Sequence, residues 1–221
     1  MKTVQAFIFD LDGVIVDTAH YHFLAWKRTA ARFDYHLTKE DNEQLKGVNR
    51  VDSLNRILEW ANHSLPSEAF EQELYHKNED YLERIQKIRP EDALPGVASL
   101  LKDLQEKKIP VALGSSSKNA LLILRYLELL PYFEVLIDGN RVTRSKPDPE
   151  VFLKGAEALG VSPENCIVFE DAVAGVTAAR NAGMQVVGLG DPQILKEADF
   201  NFNNIAEIPS HFFEQLIQHH S

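Results

Sequence analysis

The segment Val4-Gln5-Ala6-Phe7-Ile8-Phe9-Asp10-Leu11-Asp12-Gly13-Val14 decides how the rest of the chain is read. Val4 to Phe9 is an apolar strand pattern that ends abruptly in two carboxylates and a glycine. Residues two apart in an extended segment start on the same side, so Asp10 and Asp12 address one place. Gly13 lets the chain turn sharply right after the pair.

Outward from that strand the chain changes character twice. From Asp17 to Ile88 only helical periodicity is visible. Asp17 or Thr18 can cap a helix to about Phe33, and Thr38 opens a shorter one ending near Gly47. Asn49 with Asp52 resembles a capping box for a helix to about Ala61, and Pro66-Ser67 start a long helix to about Ile88. Beyond Pro95-Gly96 helices and strands alternate: helix Val97 to Glu106, strand Pro110 to Gly114, helix Lys118 to Leu127, strand Glu134 to Ile137. A helix opened by Asp148-Pro149-Glu150 follows, with Pro in the favoured first turn. Strand Cys166 to Phe169, helix Ala172 to Ala182 and strand Gln185 to Leu189 complete the pattern. Such alternation predicts an α/β fold, a Rossmann-like parallel sheet with helices on both faces, interrupted after its first strand by an all-helical insertion. The expected division is a discontinuous core, residues 1–16 and 92–221, with the insertion at residues 17–91 and joints near Val14 to Asp17 and Arg84 to Asp92.

A length of 221 residues fits one or two domains with a real core. The net charge of -10 argues against nucleic acid, whose binding needs a basic footprint. The longest apolar runs, Ala6 to Phe9 and Val111 to Leu113, are far too short for a bilayer, so no membrane partner is expected. The start of the chain has neither a leader's h-region nor an arginine-rich transit pattern. The single cysteine, Cys166, excludes an intrachain disulfide framework and lies in an apolar stretch, where it reads as a small buried hydrophobe. A cytoplasmic monomer is the expectation.

In open α/β sheets ligands bind outside the carboxyl ends of the strands. Polar clusters fall at such ends: Asp10 and Asp12, Ser115 to Ser117, Lys146 after a long loop, and Glu170-Asp171. A single strand-end acid is often only a helix cap or turn residue; these clusters together suit phosphoryl transfer with a hard cation. Two like charges about 4 Å apart repel by roughly 4 kcal/mol at an effective dielectric near 20, and a phosphate dianion worsens this. A metal and an ammonium are therefore needed. Carboxylate and carbonyl oxygens suit Mg²⁺, and Lys146 is the obvious ammonium. One of Asp10 and Asp12 can attack phosphorus while the other shuttles a proton. Ser115, Ser116 and Ser117, with Lys118 and Asn119 opening a helix, offer hydroxyls and free N–H groups to phosphate oxygens, although each serine is also an ordinary capping residue.

Asp10-Leu11-Asp12-Gly13-Val14, a strand-end Ser115, Lys146-Pro147 and Glu170-Asp171, in that order, resemble the motifs of the haloacid dehalogenase superfamily. The helical insertion sits where that superfamily carries its type-one cap. The resemblance implies that Asp10 is the nucleophile and a metal ligand, and that Asp12 is the general acid/base and lends its backbone carbonyl to the metal. Glu170 and Asp171 would complete the Mg²⁺ site, while Ser115 and Lys146 hold and neutralise the phosphoryl group.

In the last cap helix Phe70, Leu74, Tyr81, Ile85 and Ile88 form one stripe, with Lys77 on the same face. Periodicity alone favours a lysine that snorkels to the edge over one that points its charge into a cavity. Arg50, in the first turn after Lys46-Gly47-Val48-Asn49, sits beside free N–H donors and reads either as a second anion site or as a solvated surface residue. The segments Asp17 to His22, Trp26-Lys27, Leu45 to Arg50, Asp52 to Leu54, Lys77-Asn78 and Ser115 to Asn119 resemble the β-phosphoglucomutase family. By that resemblance Arg50 grips the phosphate not being transferred, and Trp26, Lys46, Gly47, Val48, Asn49, Ser53, Lys77, Ser116, Ser117, Lys118 and Asn119 belong to the substrate site. His22 would couple substrate binding to closure and to placing the acid/base, and Thr18 would lie by the hinge. The resemblance also implies a small sugar phosphate as partner and β-D-glucose 1,6-bisphosphate as primer and intermediate. Two departures are visible, Val16 where threonine is common and Gly114 where alanine is common. A hexose-phosphate phosphatase and a non-catalytic sugar-phosphate-binding regulator remain the alternatives.

Overall fold

The computed structural model describes residues 4–217. Its centre is a six-stranded sheet built from β1 (Ala6–Phe9), β2 (Val111–Gly114), β3 (Val135–Ile137), β4 (Cys166–Glu170), β5 (Gln185–Leu189) and β6 (Phe200–Phe202). Every ladder is parallel and the spatial order is β3-β2-β1-β4-β5-β6. The chain thus winds outward from β1 in one direction, then returns to β1's other side and winds outward again. The strand order reverses between β1 and β4, and a crevice must open there at the carboxyl ends. Asp10 directly follows β1, and Glu170 is the last residue of β4.

Alternation along β1 loads two separate apolar layers. Phe7 and Phe9 join Phe169, Leu113 and the buried faces of α5 (Val97–Glu106), α6 (Ala120–Tyr126) and α9 (Ser210–Ile217). Ala6 and Ile8 join Ala112, Val168 and the faces of α7 (Glu150–Leu159) and α8 (Val173–Asn181). Fully burying one such side chain contributes about 1.5–3 kcal/mol, so β1 is held from both sides. The residue that follows it inherits that rigidity.

The helical insertion consists of α1 (Ala19–Ala31), α2 (Lys39–Glu43), α3 (Arg50–Trp60) and α4 (Ser67–Ile85). It has its own apolar cluster, including Trp26, Leu37, Leu54, Ile57 and Leu74. The two strands of chain that link it to the sheet domain run side by side. Val16 bridges to Ala93, and the Leu94 N–H donates to the Ile15 carbonyl at 2.9 Å. The architecture is an α/β, Rossmann-like core with a helical cap. No described helix is long and apolar enough to cross a membrane.

Several sequence expectations are revised. β1 begins at Ala6, because Val4 and Gln5 donate to Leu216 and Asn165 instead of joining the first ladder. α2 stops at Glu43, since the following turn runs through Gly47 at φ +73°. α6 starts at Ala120, leaving Ser117 to Asn119 as a turn in which the Ser117 N–H donates to Ser115 Oγ and the Asn119 N–H to Ser117 Oγ. β6 and α9 were not anticipated.

Candidate active site

Asp10 is held at the end of β1 by its own N–H, which donates to the Phe169 carbonyl at 3.0 Å. The fully buried Lys146 ammonium donates to Asp10 Oδ1 at 2.6 Å and to Glu170 Oε1 at 2.7 Å. Burial works against that charge, but Asp10 and Glu170 together hold it above the usual lysine range. The Phe152 ring lies 4.7 Å from the ammonium and walls off its other side. Glu170 also accepts the Ala172 N–H at 2.9 Å, while burial pushes its carboxyl up. Asp171 is pushed well above the carboxylate range by burial, then by Glu170 and Asp10. Gly13 stands at φ +77°, and a Cβ there would lie 2.1 Å from Asp171 Oδ2. Only glycine permits both the turn and the carboxylate beside it.

Oxygens of Asp10, Glu170 and Asp171 lie within 4.8 Å of one another. These acids face the buried Lys146 and, at 3.9 Å from Asp171, the cap's Lys46. An all-oxygen donor set with surplus negative charge fits Mg²⁺. The Asp12 carboxylate is not part of that group; it turns toward the cap.

There the Thr18 hydroxyl donates to Asp12 Oδ1. Thr18 occupies the position before α1, yet its side chain makes no capping bond and serves Asp12 instead. His22 Nε2 stands 3.8 Å from the same oxygen, and Lys77 Nζ is 2.9 Å from His22 Nδ1. While Lys77 is charged its ammonium can only donate, so Nδ1 then accepts and the ring proton is on Nε2, facing Asp12. Burial, then Lys77 and Arg50, hold His22 well below its ordinary pKa, which keeps the ring neutral. Burial and Asp10 push Asp12 up to about 8. The snorkelling expectation for Lys77 does not hold. Its ammonium is buried, 4.6 Å from the Trp26 ring and 4.8 Å from the Tyr81 ring. Burial and Arg50 lower its pKa to about 7.

Cap and core enclose a cavity of about 890 Å³. Asp10, Asp12, His22, Trp26, Lys46, Gly47, Val48, Asn49, Arg50, Ser53, Lys77, Ser116, Ser117, Lys118, Asn119 and Asp171 all line it. Ser115, Thr18, Lys146 and Glu170 stand behind that wall. Ser115 is fully buried, and its hydroxyl accepts the Ser117 N–H at 3.1 Å. The Ser53 hydroxyl donates back to the Asn49 carbonyl at 2.8 Å. Asn49 caps α3 by accepting the Asp52 N–H at 2.9 Å, which sets Arg50 in the first turn. Arg50 donates to Asn78 Oδ1 at 2.6 Å and has no carboxylate partner among the described residues. The cleft is spanned by Ser116 Oγ to the Gly47 carbonyl at 2.8 Å, Ser145 Oγ to Asp52 at 2.6 Å, and Asn119 Nδ2 to Asn78 Oδ1 at 3.0 Å. Asn78, Tyr81, Phe152 and Ser145 are the structural participants that sequence reasoning did not place at the site. Their partners are far away along the chain, so no local pattern marks them.

A family model described as haloacid dehalogenase-like hydrolase matches residues 4–183. The chain is 46% identical to the β-phosphoglucomutase of Bacillus subtilis, covering 89% of this chain and 88% of that one. It is 34% identical to the phosphorylated carbohydrates phosphatase of Thermotoga maritima, covering 88% and 91%. The crystal structure of β-phosphoglucomutase from Clostridium difficile superposes with a TM-score of 0.93 at 38% identity, covering 98% of each chain. The chain belongs to the haloacid dehalogenase-like hydrolase family. Within it, the chain is a magnesium-dependent phosphotransferase of the sugar-phosphate mutase and phosphatase kind.

Proposed function

We propose that the protein is a β-phosphoglucomutase, interconverting β-D-glucose 1-phosphate and D-glucose 6-phosphate through β-D-glucose 1,6-bisphosphate. The observation that carries this reading is the second anion site. Arg50, on the cap, has no carboxylate partner among the described residues and faces the cavity that also holds Asp10. A mutase needs such a site, because both ends of the sugar must alternate between the two positions. A phosphatase acting on one phosphate does not.

Lys146 occupies Asp10 Oδ1, which leaves Oδ2 as the oxygen that attacks phosphorus and carries the phosphoryl group. Lys146 neutralises charge at the phosphoryl oxygens, and Ser115, through its bond to the Ser117 N–H, shapes the turn that receives them. Asp12 carries the proton to and from the sugar oxygen, worth typically about a hundredfold to ten-thousandfold. Thr18, His22 and Lys77 hold that carboxyl from the cap side, so the acid/base is positioned only when cap and core are together. Bound Mg²⁺ supplies further neutralisation of the phosphoryl oxygens, and Asp10, Asp171, Glu170 and the Asp12 carbonyl are the groups that would hold it. Phosphorylated Asp10 gives its phosphoryl group to the 6-hydroxyl of β-D-glucose 1-phosphate. The bisphosphate then turns around, with Arg50 taking whichever phosphate is idle, and returns its 1-phosphate to Asp10. Trp26, Lys46, Gly47, Val48, Asn49, Ser53 and Ser116 to Asn119 surround the sugar. Closure of a cap of residues 17–91 on the core excludes water and favours the sugar hydroxyl as acceptor.

The similarity to a carbohydrate phosphatase keeps a hexose-phosphate phosphatase as the second reading. Phosphorus NMR on β-D-glucose 1-phosphate, with Mg²⁺ and a trace of bisphosphate, separates them. The mutase converts the signal to glucose 6-phosphate with little inorganic phosphate and handles the α-anomer poorly. Inorganic phosphate as the main product would establish the phosphatase instead.

A further inference from the structure

Asn78 stands four residues after Leu74 and three before Tyr81, inside the stripe by which α4 faces inward, where an apolar residue is expected. A polar side chain in such a place must find partners. Its Oδ1 accepts the Arg50 guanidinium at 2.6 Å and the Asn119 amide at 3.0 Å. One carbonyl oxygen thus joins an α3 cation to the core turn that follows β2. Asn78 does not itself line the cavity, so whatever it does there it does through Arg50 and Asn119.

The chemistry of that acceptor matters. A half-buried arginine can be paired with a carboxylate, as Arg84 of this cap is with Asp80, or with a neutral oxygen, as Arg56 is with the Gln44 carbonyl. At Arg50 the acceptor is neutral. It fixes the direction of the guanidinium while leaving its charge uncompensated.

We propose that Asn78 is a positioning residue for the phosphotransfer reaction: a neutral tether that aims Arg50 across the closed cleft and keeps its full charge for a substrate phosphate. The inference rests on the reading of Arg50 as the site of the idle phosphate. The contact with Asn119 crosses from cap to core, so the tether is complete only in the closed arrangement. Arg50 is therefore set at the moment the cavity is shut.

The test compares Asn78→Asp with Asn78→Ala. Aspartate has the shape of asparagine and would keep the bond to Arg50 while neutralising it. Alanine removes the bond and leaves the charge free but loose. Steady-state consumption of β-D-glucose 1-phosphate, with Mg²⁺ and bisphosphate primer, is followed by phosphorus NMR. Asn78→Asp should raise KM by about tenfold to a hundredfold, and Asn78→Ala by less, roughly three- to tenfold, with kcat moved least in both. A structural role predicts the opposite ranking, because the isosteric replacement would then be the milder one. Asp no worse than Ala overturns the proposal. In an Arg50→Ala background, Asn78→Ala should have almost no further effect on KM; additive effects there overturn it as well, whatever becomes of the Asp variant. Product identity, read from the same spectra, judges the mutase assignment separately. A parent that releases inorganic phosphate refutes that assignment, and the KM ranking still decides the role of Asn78.

Discussion

Replacing Arg50 by alanine should damage mutase turnover far more than hydrolysis of a small monophosphate. The magnitude follows from what the guanidinium does in the resting protein. Its hydrogen bond goes to a neutral amide oxygen at 2.6 Å, so its removal leaves no buried carboxylate stranded and the fold should survive. What is lost is a charge-assisted contact to the idle phosphate, typically about 1.5–3 kcal/mol. At about 1.4 kcal/mol per power of ten, kcat/KM should fall by one to two powers of ten. Arg50→Lys keeps the charge but not the fork and should fall between. A one-phosphate substrate such as acetyl phosphate never needs the distal position, and its hydrolysis should change by less than about threefold. The assay is phosphorus NMR for the sugar phosphate beside colorimetric phosphate release for acetyl phosphate, with thermal melting to confirm the fold. If Arg50→Ala slows both reactions alike, Arg50 is not a distal phosphate site and the mutase argument loses its main support.

Asp10→Asn should abolish turnover of every substrate, because an amide cannot form the aspartyl-phosphate; activity within a few-fold of the parent would remove Asp10 as nucleophile. Chelation of divalent metal should silence the enzyme, and added Mg²⁺ should restore activity and raise the melting temperature, since the carboxylate cluster is assembled only in the folded state. Full activity in excess chelator would contradict the metal assignment. Gly114→Ala should destabilise the fold by about 1–3 kcal/mol, or several degrees of melting temperature, as overpacking does. Its Cβ would meet the Phe152 ring at 2.8 Å, and that ring backs Lys146. An unchanged melting temperature would mean Phe152 has room to move. Lys77 is charged below about pH 7 and neutral above it, its charge disfavoured by burial and by Arg50. Affinity for the anionic substrate should thus weaken as pH rises through about 7, and this alkaline limb of the KM profile should vanish in Lys77→Met. A parent KM flat from pH 6 to pH 8 would show that Lys77 is not part of the anion field.

Local chemistry made much of this protein readable in one dimension. Apolar strands ending in acids, the alternation after Pro95-Gly96 and the all-helical stretch before it specify an α/β core with a helical insertion. Period and capping are properties of near neighbours, and so are visible in sequence. The acids Asp10, Glu170 and Asp171 could be assigned to one site because parallel strands bring all their carboxyl ends to one edge. Tertiary structure alone decided how side chains divide the work. Thr18 reads as a helix cap and instead donates to Asp12. Lys77 reads as a snorkelling residue and instead lies buried between Trp26 and Tyr81. Phe152 supports Lys146, and Asn78 ties Arg50 to Asn119, across separations that no periodicity encodes. A side chain's direction depends on what packs over it, and here the deciding contacts come from residues distant in the chain, brought together only by the tertiary fold.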